Sequence, residues 1–209
     1  MKLKQIILEE QSDEEILEIL ERDCKRFLEI CDNKFLYRGS KTQSTDNSLK
    51  KIKMRKDRAP RDMKANTHVM LDNYFEDNFG IRYRSAAVFV TGSKENAEDY
   101  GKVYAVFPIG DFSFIYSPII VDLYSNIKHN EIVSSLNPFK KPTKIKHTQE
   151  SINAYLDSGK YTNKNLLAGI KKGNEIMIHC DEYYIIPLRT LQKIKFKSYV
   201  KKIWNKITK

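Results

Sequence analysis

The stretch EIMIHCDEYYIIPL, residues 175–188, constrains the fold more than any other part of the chain. Two short runs rich in Ile and Tyr are separated by His179-Cys180-Asp181-Glu182. Side chains of this kind suit a pleated, buried surface, and the polar break between the runs reads as a hairpin. Two earlier stretches have the same texture. AAVFVTGS (86–93) is a buried strand that breaks at Gly92, and VYAVFPIG (103–110) is another. Between them KENAEDYG fits a short helix that Ser93 caps and Gly101 stops.

Helical periodicity dominates the other end of the chain. Ser12 with Glu15 three positions later makes a capping box. Apolar residues then recur at Ile16, Ile19, Leu20, Cys24, Phe27, Leu28 and Cys31, which predicts one amphipathic helix with a buried stripe. A short strand, Phe35–Tyr37, follows. Residues 39–66 are polar, basic and aperiodic, and are expected to be mostly loop. A helix over Val69–Phe79 ends at Gly80. From Asp111 to Asn137 strand and helix are poorly separated, and 138–164 reads as a long loop or short helices. Strands and helices in separate runs, without repeats or a linker rich in Gly, Ser or Pro, predict a single α+β domain.

Length and charge bound the function. A chain of 209 residues, 41% hydrophobic, can bury a real core. No apolar run approaches the ~20 residues that span a bilayer, and the first residues lack the apolar region of a secretory signal. Cys24, Cys31 and Cys180 are odd in number and lack metal-type spacing, so they are expected to be reduced thiols in a cytoplasmic protein, with no metal. The net charge of +10 is unevenly spread. Residues 1–32 hold ten acids against five bases, so the remaining 177 carry +15. Residues 38–61, which take in all of KDRAPRD (56–62) but its last Asp, hold nine Lys or Arg against two Asp, and 189–209 hold eight against none. Such asymmetry favours an anionic partner: a nucleic acid, a phosphorylated cofactor or a membrane surface. Phe196, Tyr199, Val200, Ile203, Trp204 and Ile207 keep helical spacing within that basic tail.

Three pieces carry the chemistry. Tyr37-Arg38-Gly39 puts a guanidinium and a glycine at a strand end. Thr91-Gly92-Ser93, with Ala97 and Tyr100-Gly101 beyond, ends a strand in hydroxyls before a short helix. Gly173-Asn174-Glu175 puts a carboxylate at the start of a late strand. In order and spacing they resemble the Arg–Ser–Glu class of ADP-ribosyltransferases, over residues 35 to 187. The resemblance implies a split β-sheet core at 35–190, which charge and periodicity flank with an acidic helical region at 1–34 and a basic amphipathic tail at 191–209. It also implies NAD as co-substrate, with Arg38 supporting its phosphates and Gly39 approaching the nicotinamide carboxamide. Thr91 and Ser93 would brace the site and orient the glutamate, Tyr100 would border the cofactor, and Glu175 would be the catalytic carboxylate. A planar guanidinium suits a bidentate oxyanion contact. A fixed carboxylate stabilises the oxocarbenium-like ribose that forms as nicotinamide leaves.

Two positions depart from that pattern. Gly92 replaces the middle hydroxyl, and Gly173 stands where arginine-modifying members carry Glu or Gln. The loop before Glu175 instead offers Tyr161, Lys164, Lys171 and Lys172 to an acceptor, which suits an acidic or nucleic-acid target. The expectation is therefore mono-ADP-ribosyl transfer to a protein or nucleic acid. The alternatives are NAD hydrolysis and a non-catalytic nucleic-acid-binding protein on the same fold.

Overall fold

The capping box forms as the sequence predicts: Ser12 Oγ accepts from Glu15 N at 3.1 Å, and Glu15 Oε2 accepts from Ser12 N at 2.7 Å. In the computed structural model, which describes residues 11–41, 48–60, 63–127 and 147–194, this box opens α1 (Asp13–Asp23). The single expected helix bends at Cys24 and resumes as α2 (Lys25–Cys31). The stripe survives the bend, because Ile16, Leu20, Cys24, Phe27 and Cys31 are all buried.

Strand β1 (Leu36–Ser40) runs three residues beyond the expected end, so Arg38 lies within a strand, opposite Tyr104 of the neighbouring strand. The segment expected to be loop contains β2 (Lys50–Lys53), a strand of three lysines and one isoleucine. Then come α3 (Ala65–Phe79), closed by Gly80, the short α4 (Tyr83–Ala86), β3 (Val88–Thr91) and α5 (Lys94–Glu98). The Ser93 hydroxyl caps α5 through Asn96 N at 3.0 Å. β4 (Lys102–Pro108) and β5 (Ser113–Tyr116) precede a helical turn at 123–127 (α6). Beyond it lie α7 (Gln149–Ser158), α8 (Leu166–Lys172), β6 (Glu175–His179), β7 (Glu182–Pro187) and a helix from 188 to 194 (α9).

The chain is a mixed α+β fold built on a seven-stranded antiparallel sheet ordered β2-β7-β4-β1-β3-β6-β5. The hairpin expected at 175–188 does not form. β6 pairs with β3 and β5, whereas β7 pairs with β2 and β4, so the chain crosses three strands at Cys180-Asp181. The centres of both runs, 176–178 and 183–186, lack polar alternation and satisfy a central position in either half of the sheet, so pattern alone could not make them partners. The two halves meet where β1 and β3 share one pair, Tyr37 with Thr91.

Alternation in β3 and β6 distributes the core. Val88, Val90, Ile176 and Ile178 face a cluster with α1, α2 and α8, while Met177 faces a second cluster with Leu71 and Phe75 of α3 and Leu156 of α7. Leu191 and Ile194 of α9 join the first cluster, so the start of the basic tail is core; residues 195–209 lie outside the described residues. The three cysteines are free and buried. No helix among the described residues is long and apolar enough to cross a membrane.

One close approach locks α8 to the β3–α5 turn. A Cβ on Gly92 would lie 1.8 Å from the Ile170 carbonyl oxygen, which leaves no room for a side chain at this position. Gly92→Ala is therefore expected to lose more than about 2 kcal/mol in urea denaturation, because backbone must move to admit the methyl. A loss within about 0.5 kcal/mol, the range of an ordinary surface change, would contradict this seating of α8.

Candidate functional site

Glu175 opens β6 directly opposite Thr91, the last residue of β3, and its N–H donates to Val121 O at 2.7 Å. It stands on the same face of the strand as the fully buried Met177, at the point where the apolar face ends. A cleft of about 370 Å³ opens there. Arg38 and Gly39 of β1, Thr91, Tyr100 and Glu175 all border it, so the structure brings together the residues singled out at positions far apart in the chain.

The surroundings of Glu175 are apolar and cationic at once. Burial pushes its carboxyl up to about 7, while the Arg84 guanidinium pulls the other way. Arg84 Nη1 lies 3.5 Å from Glu175 Oε1, too poorly placed for a hydrogen bond. Arg84 Nε, Arg84 Nη1 and Glu175 Oε1 are all buried and unpartnered among the described residues. Native interiors rarely leave such atoms unmet. Arg84 and Arg58 both pack on the ring of Phe89, with guanidinium carbons 4.4 and 4.3 Å from its centre. Arg58 belongs to the KDRAPRD segment, which therefore borders the cleft through Arg58 and Pro60. Arg38 lines the same cleft, half-buried, and its guanidinium makes no hydrogen bond or ion pair with the described residues.

A second layer holds these arginines. Asp72 of α3 is 2% exposed, and its Oδ1 accepts from Arg84 N at 2.8 Å and Ser85 N at 3.2 Å. The Ser85 hydroxyl donates to Asp72 Oδ2. His68 Nε2 lies 3.0 Å from Ser85 Oγ, and Arg58 N donates to Ser85 O at 3.0 Å. Burial lowers the pKa of His68 despite the Asp72 carboxylate beside it. The charge that orders the two arginine-bearing segments is thus the buried Asp72.

The hydroxyl element works differently from the expectation. Thr91 Oγ1 donates to Gly173 O at 2.6 Å, and Asn96 Nδ2 donates to the same oxygen at 3.0 Å. These two bonds fix the backbone two residues before Glu175. Ser93 joins this element through its backbone, its N–H donating to Thr91 Oγ1 at 3.1 Å, while its hydroxyl caps α5 and donates to Glu95 Oε2 at 3.0 Å. Gly39 borders the cleft, but packing is reason enough for it. A Cβ there would lie 2.0 Å from Ala97 O and 2.7 Å from Tyr100 Cβ, so its absence lets α5 sit on β1. Tyr100 donates from its hydroxyl to Asp122 Oδ2 at 2.7 Å across the cleft wall.

Of the expected acceptor residues, Tyr161 is turned inward. Its ring packs edge-on to Phe75 at 5.1 Å, and burial drives its phenol well above the ordinary range, with the Glu175 charge adding to the effect. Lys164, Lys171 and Lys172 remain exposed, and Lys172 Nζ donates to Pro118 O at 2.6 Å. Gly173 has φ +75°, a conformation that disfavours the Glu or Gln of arginine-modifying enzymes, and an added Cβ would press on Ser93 Cβ at 3.1 Å.

Arg84, Arg58, Asp72, His68 and Asn96 were not singled out in the sequence. RYRSAA (82–87) carries no motif, and a buried Asp in the middle of a helix looks like a solvated one. Comparison with protein-family models, curated proteins and solved structures found no match to the chain.

The raised carboxyl has a measurable consequence. Glu175 titrates near 7 folded and near 4.5 unfolded, so folding favours its protonated form. The stability this contributes is complete below pH 4.5 and is lost as pH rises through 7. Between pH 5 and 8 the wild type should therefore lose about 2 kcal/mol more stability than Glu175→Gln, measured by chemical denaturation at each pH. Parallel pH dependences for the two proteins would show that this carboxyl titrates normally.

Proposed function

We propose that the chain is an NAD-dependent ADP-ribosyltransferase that cleaves the nicotinamide–ribose bond and passes ADP-ribose to a macromolecular acceptor. The observation that carries this reading is the unmet Oε1 of Glu175 lying 3.5 Å from the unmet Nη1 of Arg84. A sugar hydroxyl is donor and acceptor in one atom, so it can satisfy both sides at once. Arg38 and Arg58 add positive charge along the same cleft, which suits a ligand whose hydroxylated ring is joined to a diphosphate. NAD is such a ligand, and the Tyr37-Arg38-Gly39, Thr91 and Glu175 positions carry the resemblance to enzymes that use it.

In this reading Glu175, ionised, accepts a hydrogen bond from a hydroxyl of the nicotinamide ribose. As the C1′–N bond breaks, its electron pair leaves with the pyridinium ring, which departs as neutral nicotinamide, and positive charge develops on the ribose. The fixed carboxylate stabilises that charge in a site largely shielded from water. The acceptor nucleophile then bonds to C1′ and gives up its proton. The arginines hold the diphosphate, and Asp72 holds the segments that carry Arg58 and Arg84. Gly173 speaks against an arginine side chain as acceptor.

Release of nicotinamide from NAD tests the proposal. Wild type should release it, and Glu175→Gln should do so at least ~100-fold more slowly with the fold retained. Arg38→Lys keeps the charge but loses the planar fork, so NAD binding measured by calorimetry should weaken about tenfold while the melting temperature changes little. Equal release by wild type and Glu175→Gln would overturn the assignment. Recovery of the label as free ADP-ribose alone would favour hydrolysis over transfer.

A further inference from the structure

A second cavity, of about 380 Å³, lies beside the first, and Tyr37 lines both. Three lysines from separate parts of the chain converge on it: Lys34 after α2, Lys94 at the start of α5, and Lys171 in the last turn of α8. Lys94 shares its charge with Glu98 at 3.1 Å, whereas Lys34 and Lys171 have no ion-pair partner among the described residues. The one acid on the wall, Glu95, already accepts from the Ser93 hydroxyl. The remaining wall combines the half-buried rings of Phe35 and Tyr37 with Asn33, Gly92 and Ile170.

Like charges are brought together at a cost unless an anion joins them. Cations beside aromatic faces form the combination that holds single-stranded nucleic acid, with phosphates on the lysines and a base on a ring. An acidic peptide would use the lysines alone, whereas a base can also stack on the Tyr37 ring; Phe35 is already packed edge-on to Phe107 at 5.9 Å. We infer that this cavity binds one nucleotide of a single-stranded nucleic acid and holds the strand beside the Glu175 cleft. The inference names the acceptor class for the reaction proposed above and rests on that reading only in this respect. The packing that builds the cavity is already accounted for: Gly92 admits Ile170, and the same contact brings Lys171 next to Lys94.

The test is binding of fluorescein-labelled oligouridylate and oligothymidylate to the full chain, read by anisotropy without NAD. The variant carries Lys34→Gln, Lys94→Gln and Lys171→Gln, all at exposed positions. A charge-matched control carries Lys51→Gln, Lys53→Gln and Lys56→Gln, also exposed. Wild type should bind at low salt, and the cavity variant should bind at least tenfold more weakly, with a log–log salt slope shallower by about 2. The control should lose less than threefold. Absence of wild-type binding at low salt, equal loss in the control, or displacement by polyglutamate as readily as by unlabelled RNA would each overturn the inference. Nicotinamide release into water, measured on the same variants, should be unchanged. Loss of strand binding with normal NAD cleavage therefore counts against this site alone, and absent NAD cleavage with normal strand binding counts against the catalytic reading alone.

Discussion

A carboxylate and a guanidinium facing each other inside a protein, 3.5 Å apart and without a hydrogen bond, is the interaction on which this site turns. Burying either charge alone is costly, and their attraction offsets that cost fully only when the remaining donors and acceptors are met. Here they are not. The neighbouring structure tolerates this because Arg84 is held from several sides, by Asp72 through its backbone and by Phe89 through its ring. Glu175 is equally constrained: Gly173 is gripped by Thr91 and Asn96, and Glu175 N is tied to Val121. These bonds fix the backbone from which both side chains project. A fold that keeps two buried charges short of satisfaction has a cleft organised before any ligand arrives.

The same logic places the rest of the sheet in relation to the site. The strands that deliver Arg38 and Thr91 touch at one pair, Tyr37 with Thr91, and the chain crosses from one half of the sheet to the other at Cys180-Asp181. Four chain segments therefore end around one junction: β1 brings Arg38, β3 brings Phe89 and Thr91, β6 brings Glu175, and the KDRAPRD segment brings Arg58. Glycines at Gly39 and Gly92 let α5 and α8 close on this junction from outside. Packing against those helices is reason enough for both glycines.

Much of this was legible in the sequence. The capping box at Ser12, the buried stripe of the first helices, the Ser93 cap and the Gly80 stop are local effects, and each follows from neighbours within a few residues. Arg38, Thr91 and Glu175 stood out because each is a polar group fused to an apolar strand. What failed was non-local. Pairing of β6 with β7 looked natural from adjacency, yet two runs whose centres lack polar alternation do not specify each other. β2 was hidden because KKIK has a single apolar residue, and its strand is made by the edge of β7 rather than by its own propensity. Arg84 and Asp72 were invisible for a related reason. Charged residues on helices are ordinarily solvated, and only the packing of α3 and α4 against β6 turns them inward.

The claim that an ionised Glu175 does the chemistry is tested most directly by the pH dependence of kcat/KM for nicotinamide release, which reports groups in the free protein. With the carboxyl at about 7, the account predicts a rate that climbs about tenfold per pH unit between 5 and 6.5, bends near 7 and levels above it. A profile already flat from pH 5 upward would contradict it, since the rate would then be indifferent to the charge on the carboxylate that the site is built around.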